Sequence, residues 1–269
     1  MTKKPAAAVL YHYPCPDGAF AALAAHLYFS ATNAAVYFFP NAVYSPVSPQ
    51  SLPLGDIDDL YLLDFVGPPG FVAEVASRVG RVLILDHHKT ALHDPFLVAP
   101  NVSNLIDLNR SGATLAFDYF KDRIDNDKVR AEFERVRRLF EYIEDGDLWR
   151  WRLPNSKAFS SGLKDLYIEF DVRLLSLDLE NVINQGMKSL AEKQRLIDDA
   201  LSQSYEIAIG GGRFGHCLAV DADSIAALRS ELGHQLATKS HSLELSFSSE
   251  ISRFGISYSI LIVLVESLG

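Results

Sequence analysis

The 269-residue chain carries 48% apolar and 22% charged residues, a globular balance that excludes a disordered chain and suffices for one large domain or two modest ones. A formal net charge of −9 argues against a generally basic surface that coats nucleic acid, though not against a local basic groove. With only Cys15 and Cys217 there is no disulfide framework, and a reducing compartment is expected. The first five residues lack both the apolar core of a signal peptide and the Arg/Ser richness of a transit peptide. The most apolar stretch, 258–265, falls short of the roughly 20 residues of a bilayer span, so a cytoplasmic protein with no membrane segment is expected.

In chain order, residues 6–11 read as a buried strand and 17–29 as an Ala-rich helix, with 35–39 strand-like again. Residues 59–66 form a compact apolar run, punctuated by Gly67-Pro68-Pro69-Gly70, and 71–79 read as a helix. Residues 81–86, Arg-Val-Leu-Ile-Leu-Asp, fit an interior strand of a parallel sheet, buried on both faces. Strands alternating with helices predict an α/β fold with a doubly wound, largely parallel sheet. Helices are predicted over 111–124 and 129–148, with a break around Pro154. A long helical stretch over about 172–204 reads as a linker to a second, smaller α/β lobe. That lobe would hold a Gly-rich turn at 210–212, a strand at 216–220, a helix at 223–238 and one or two strands over 242–269. The expected division is 1–170, a metal-binding catalytic domain; 171–204, the linker helix; and 205–269, a substrate-binding lobe.

Three predicted strands end in residues of metal-ligand type, and open α/β sheets gather ligands beyond the carboxyl ends of their strands. The first strand runs into His12, Cys15 and Asp17-Gly18, another into Asp64, and the third into Asp86-His87-His88. Asp17 or Asp64 alone is equally a cap or turn residue. Two adjacent histidines straight after an apolar strand are rarely needed for packing, and beside them the aspartates gain weight. Asp145 and Asp147 lie at the end of a predicted helix, where acidic side chains oppose the negative end of the helix dipole. Either a bound cation or a solvated acidic turn accounts for them.

His12, Asp17-Gly18, Asp64, Asp86-His87-His88 and an aspartate near Asp145 occur in the order that resembles the DHH phosphoesterase superfamily. That group includes family II inorganic pyrophosphatases, single-strand exonucleases, oligoribonucleases and cyclic-dinucleotide phosphodiesterases. The similarity covers about residues 7–149 and extends loosely to about 240. Arg110-Ser111-Gly112-Ala113-Thr114 is similar to the helix start that follows the Asp-His-His motif. The resemblance implies one metal held by His12, the residue at Cys15 and Asp64. It implies a second held by Asp17, Asp64, His87 and Asp145, with Asp64 bridging. His88 would face the phosphate and Asp86 would orient the histidines. Two ions are expected, Mn²⁺ or else Mg²⁺ or Co²⁺, with a single ion as the alternative. The implied substrate is a small phosphorylated molecule or short oligonucleotide, with Arg110, Ser111, Arg213 and His216 as candidate contacts. Whether the chain acts alone or as a homodimer is left open.

Two departures stand out. Cys15 occupies a position where the family commonly has aspartate, so it is either a softer ligand or a small structural residue. Gly210-Gly211-Gly212-Arg213 sits too early to be the family's substrate-gripping loop, and nothing after about residue 240 resembles that loop. The second lobe is therefore expected to be truncated or divergent. Trp149 and Trp151 read as core residues rather than base-stacking platforms, while Arg137, Arg138 and Lys164 read as solvated charges or phosphate contacts.

Overall fold

Apolar residues at alternate positions decide which way each strand of the main sheet faces. The computed structural model describes residues 6–93, 99–166, 169–213, 216–242 and 260–262, and the chain divides into two compact units, Met1–Met187 and Lys188–Gly269. In the first unit β1 (Ala6–Tyr13), β2 (Val36–Ala42), β3 (Ile57–Leu63), β4 (Arg81–Asp86) and β5 (Val102–Ile106) form a parallel sheet in the order β2-β1-β3-β4-β5. Val9, Tyr61, Leu63, Leu83 and Leu85 face one core, shared with α1 (Pro16–Thr32), α3 (Gly112–Lys121) and α4 (Asp127–Asp147). Leu10, Leu60, Leu62, Val82 and Ile84 face a second core under α2 (Phe71–Ala76). Helices on both faces of a parallel sheet make the α/β architecture that the sequence predicts. Strand order reverses between β1 and β3, and that is the point where such sheets open a crevice at their carboxyl ends.

Differences from the predicted elements have local causes. The chain forms β5 at the sheet edge, where three of its five residues are exposed and the apolar signal is correspondingly weak. Helix α5 (Ser156–Asp165) follows Asn155, which adopts φ +57°, so the break around Pro154 is only a turn. The long helix starts later than 172. Residues Val172–Ser176 form a separate 3₁₀ turn capped by Asp171, and α6 (Leu179–Ser202) begins after Asp178 accepts the Asn181 N–H. Val182 of α6 packs in the first unit, and Ile197 and Ala200 pack in the second.

In the second unit β6 (Tyr205–Ala208), β7 (His216–Asp221) and β8 (Ile260–Ile262) pair antiparallel, and α7 (Arg229–Ser242) contributes Leu232 and Leu236 to a small core. The predicted strands over 242–269 fall outside the described residues, except for β8 and the end of α7. Among the described residues no helix is long and apolar enough to cross a membrane.

The crossing of α5 and α6 depends on glycine. A Cβ on Gly186 would lie 1.7 Å from the carbonyl oxygen of Ala158, a distance no side chain tolerates. Gly186→Ala is therefore expected to cost about 1–3 kcal/mol by overpacking and to lower the melting temperature by several degrees. Gly55→Ala, which meets nothing within 4 Å, should leave it unchanged. Equal melting curves for the two variants would show that the crossing relaxes freely.

Candidate metal centre

The carboxyl ends of β1, β3 and β4 and the last residue of α4 bring one set of polar side chains together. His12 lies on β1, Asp64 directly follows β3, and Asp86 ends β4 with His87 and His88 beyond it. Asp17 sits in the first turn of α1 with Cys15 as its N-cap, and Asp147 closes α4. Asp64 holds φ +67°, a left-handed conformation that is costly away from glycine and that surrounding structure must impose.

The cluster is tight. His12 Nδ1 lies 3.1 Å from Asp64 Oδ2, and His87 Nε2 lies 3.1 Å from Asp64 Oδ1. The same His87 nitrogen is 3.5 Å from both Asp17 Oδ2 and Asp147 Oδ2. Three groups, His12–Cys15–Asp64, Asp64–His87–His88 and Asp17–His87–Asp147, each offer donor atoms within 4.8 Å of one another. Asp17 is also a helix cap from a distance: its two oxygens accept the Gly112 and Ala113 N–H groups at 2.7 and 3.0 Å, at the positive end of α3. A Cβ on Gly112 would come within 2.6 Å of Asp64 Cβ, so α3 can dock here only with glycine at that position. Asp86 Oδ1 accepts from the His87 and His88 N–H groups and lies 2.8 Å from His88 Nδ1, which orients that ring.

Burial and mutual repulsion set the electrostatics. Asp17 is 1% exposed, and desolvation with the nearby Asp64 and Asp147 charges raises its pKa well above the usual carboxylate range. Asp147 is raised by burial and the Asp64 charge. Burial also raises Asp64, but the hydrogen bond with His12 and the close approach and charge of His12 and His87 outweigh it, and the net shift is downward. Burial disfavours a charged His87, yet its 3.1 Å approach to Asp64 and the Asp17, Asp64 and Asp147 charges lift its pKa to about 9. His88 is raised chiefly by its bond to Asp86. Burial, with Asp64 and Asp17 adding to it, pushes the Cys15 thiol up to about 12, so its proton is hard to remove.

The donor set fits a divalent cation. Asp64 Oδ1, although 3.1 Å from His87 Nε2, is buried without a hydrogen-bond partner, and Asp86 Oδ2 is likewise unpartnered. Carboxylates mixed with imidazoles suit Mn²⁺, Mg²⁺ or Co²⁺.

Several expected site residues lie elsewhere. Asp145 does not join the cluster: its carboxylate turns back to accept the Arg152 and Leu153 N–H groups at 3.0 and 3.2 Å. This bond explains an acidic residue at a helix C-terminus without a cation, and the position that faces His87 belongs to Asp147. Ser111 is fully buried as the N-cap of α3, with its hydroxyl accepting from Thr114 N–H, and so it is closed to substrate. Arg110 is spent on Asp118 and Glu144. Arg213 and His216 lie in the second unit, Arg213 exposed after the Gly-rich turn and His216 paired with Glu206 across the β6–β7 ladder.

Sequence reasoning missed Glu144. Its side chain takes hydrogen bonds from Ser111 N, Arg110 Nε, Arg150 Nη1 and the Thr114 hydroxyl, locking the end of α4 to the start of α3. The available signal was its place three residues before Asp147, one helical turn away.

No family model matches the chain. An uncharacterised protein of Acanthamoeba polyphaga mimivirus is 27% identical over 184 residues, covering 65% of this chain and 40% of that protein, so the match spans about two-fifths of the relative. Among solved structures, an exopolyphosphatase-related protein from Bacteroides fragilis is 14% identical over 75% of this chain and 62% of that one, with a TM-score of 0.44. Exonuclease RecJ bound to manganese is 11% identical over 76% of this chain and 67% of its own, with a TM-score of 0.40. CDC45 from Entamoeba histolytica is 16% identical over 52% and 30%, with a TM-score of 0.37. At these identities and scores no residue role transfers from them.

The His87 shift has a testable sign. Its folded pKa, about 9, lies above the unfolded value of roughly 6.5. The stability it contributes is therefore complete below about pH 6.5 and lost as pH rises through about 9. Metal-stripped protein should melt lower at pH 9 than at pH 6.5. Excess Mn²⁺ should reverse the trend, because ligands bind metal only when deprotonated. Thermal melts that ignore Mn²⁺ at both pH values would remove the metal centre.

Proposed function

We propose that the protein is a divalent-metal-dependent phosphoesterase that hydrolyses a phosphodiester, phosphomonoester or phosphoanhydride in a small nucleotide or short oligonucleotide. The observation that carries this reading is the convergence of Asp17, Asp64, His87 and Asp147 on a few ångströms of buried space, with Asp64 Oδ1 left unpartnered. Bound divalent cations would neutralise a phosphoryl group and lower the pKa of an attacking water. Asp17, Asp64, His87 and Asp147 would hold one ion, and His12 and Asp64, with Cys15 as the weak member, a second.

The chain's own groups would do the rest. His88 is half-exposed and its Nδ1 is tied to Asp86, so Nε2 is the nitrogen that would donate a proton to a phosphate or leaving oxygen. The upward shift of His88 favours the protonated, donating form. Asp86, wholly buried, fixes that tautomer rather than touching substrate.

A second reading has one specific observation behind it. The first site offers the Cys15 sulfur, a soft donor, beside His12 and Asp64, a poor match for an oxygen-seeking cation, which favours a one-ion protein that binds a nucleotide or metal in a regulatory role and turns over slowly.

The test is metal add-back to stripped protein with bis-p-nitrophenyl phosphate as substrate, alongside measurement of bound ions. Metal-dependent turnover is expected with Mn²⁺, and Asp64→Asn, His87→Ala and Asp147→Asn should each lose more than about 10²-fold in rate. Asp145→Asn should lose stability while keeping most activity, since its carboxylate braces the turn. One ion per chain and no turnover would establish the second reading, and near-native activity in Asp64→Asn would reject both.

A further inference from the structure

An indole exposed beside a buried acidic cluster needs a reason, because a tryptophan gains more by burial than almost any other side chain. Trp149 is 78% exposed, against the expectation that it belongs to the core. It lines a pocket of about 260 Å³ together with Trp151, Ser160, Lys164, Asp17 and Asp147. That volume lies just under the usual range for small-molecule sites, about 300–1,000 Å³.

The platform is rigidly built. Trp149 and Trp151 both hold φ +52°, a strained conformation for bulky residues that persists only where surrounding contacts impose it. Those contacts are visible: Trp149 N–H donates to the Gly146 carbonyl and Arg150 N–H to the Asp145 carbonyl, while the Asp145 carboxylate holds Arg152 and Leu153. The rings meet edge to face with centroids 5.7 Å apart, and Lys157 Nζ sits 5.8 Å from the Trp151 centroid. The turn thus holds a largely exposed indole in the same pocket as the aspartates proposed to hold metal.

We propose that Trp149, backed by Trp151, is a stacking platform for a nucleobase, and that the pocket takes a nucleoside phosphate with its base on the indole and its phosphate toward Asp17 and Asp147. Lys164 borders the same space and supplies a cation for the sugar-phosphate. This deepens the phosphoesterase reading and rests on it for the phosphate end. It sets nucleotides apart from inorganic polyphosphate and pyrophosphate, which have no ring to stack.

The chain's two tryptophans both line this pocket, so tryptophan fluorescence, excited selectively over tyrosine, reports on it alone. Full-length protein with Mg²⁺ would be titrated with AMP and, separately, with ribose 5-phosphate, with affinities measured in parallel by calorimetry. AMP is expected to quench saturably and to bind more tightly than ribose 5-phosphate. Trp149→Ala should weaken AMP binding on the order of tenfold and leave ribose 5-phosphate binding as it was, while Trp149→Phe should restore most of the difference. Equal affinities for the two ligands, both indifferent to Trp149→Ala, would overturn the platform. If AMP quenches a protein that hydrolyses no phosphodiester with any metal, the platform stands and the hydrolase does not. If the generic substrate is cleaved but AMP leaves fluorescence untouched, the platform falls and the hydrolase survives.

Discussion

Three carboxylates around one imidazole form the constraint on which the rest of the first unit depends. Asp17 and Asp64 are each 1% exposed, and Asp147 comes within 3.5 Å of the same His87 nitrogen that they surround. Burying that much like charge is expensive, and unpaired buried charge is more so. Part of the cost is offset locally: the start of α3 donates two N–H groups to Asp17, and His12 and His87 flank Asp64. Those partners explain why α3 must dock on Asp64 through Gly112. They do not satisfy Asp64 Oδ1 or Asp86 Oδ2, and a folding protein with no other demand on it would not leave those atoms bare.

The switch point of the sheet supplies the place. Strand order reverses between β1 and β3, so the loops leaving them diverge and open a crevice. His12 and Asp64 stand at its two sides, and β4 adds Asp86, His87 and His88 from the neighbouring strand. Two packed cores hold these strand ends in register. The cluster therefore inherits its geometry from strands rather than from mobile loops, which suits a site that must hold donors to a fraction of an ångström.

Much of this was legible in the sequence, and the limits have physical causes. β4 was read to its residue, because a buried parallel strand is a continuous apolar run and the Asp-His-His that follows has no packing purpose. β5 was missed because an edge strand buries little. The choice between Asp145 and Asp147 could not be read from their positions, since both end the same helix and both oppose its dipole. What separates them is the direction of the chain after the helix, which brings Arg152 and Leu153 back under Asp145 and leaves Asp147 facing His87. Arg110 and Ser111 were picked out for the right neighbourhood and the wrong reason, as they brace and cap α3 rather than face a ligand.

The end of α4 is where folding and chemistry make opposite demands on one short stretch. Glu144 must point to α3, Asp145 to the returning backbone, and Asp147 to the cluster, three directions within a single helical turn. Side chains three apart lie near one another on a helix, whereas neighbours do not, so Glu144 can reach α3 and Asp147 the cluster while Asp145 serves the turn. The left-handed conformations of Trp149 and Trp151 follow from that arrangement: the chain must reverse at once to reach Asp145. Reversal through glycine would have been cheaper. Two tryptophans at those positions carry the strain and the loss of burial together, and a turn alone requires neither. The aromatic face they present is therefore the part of this segment that folding leaves unexplained and that a ligand with a flat ring would explain.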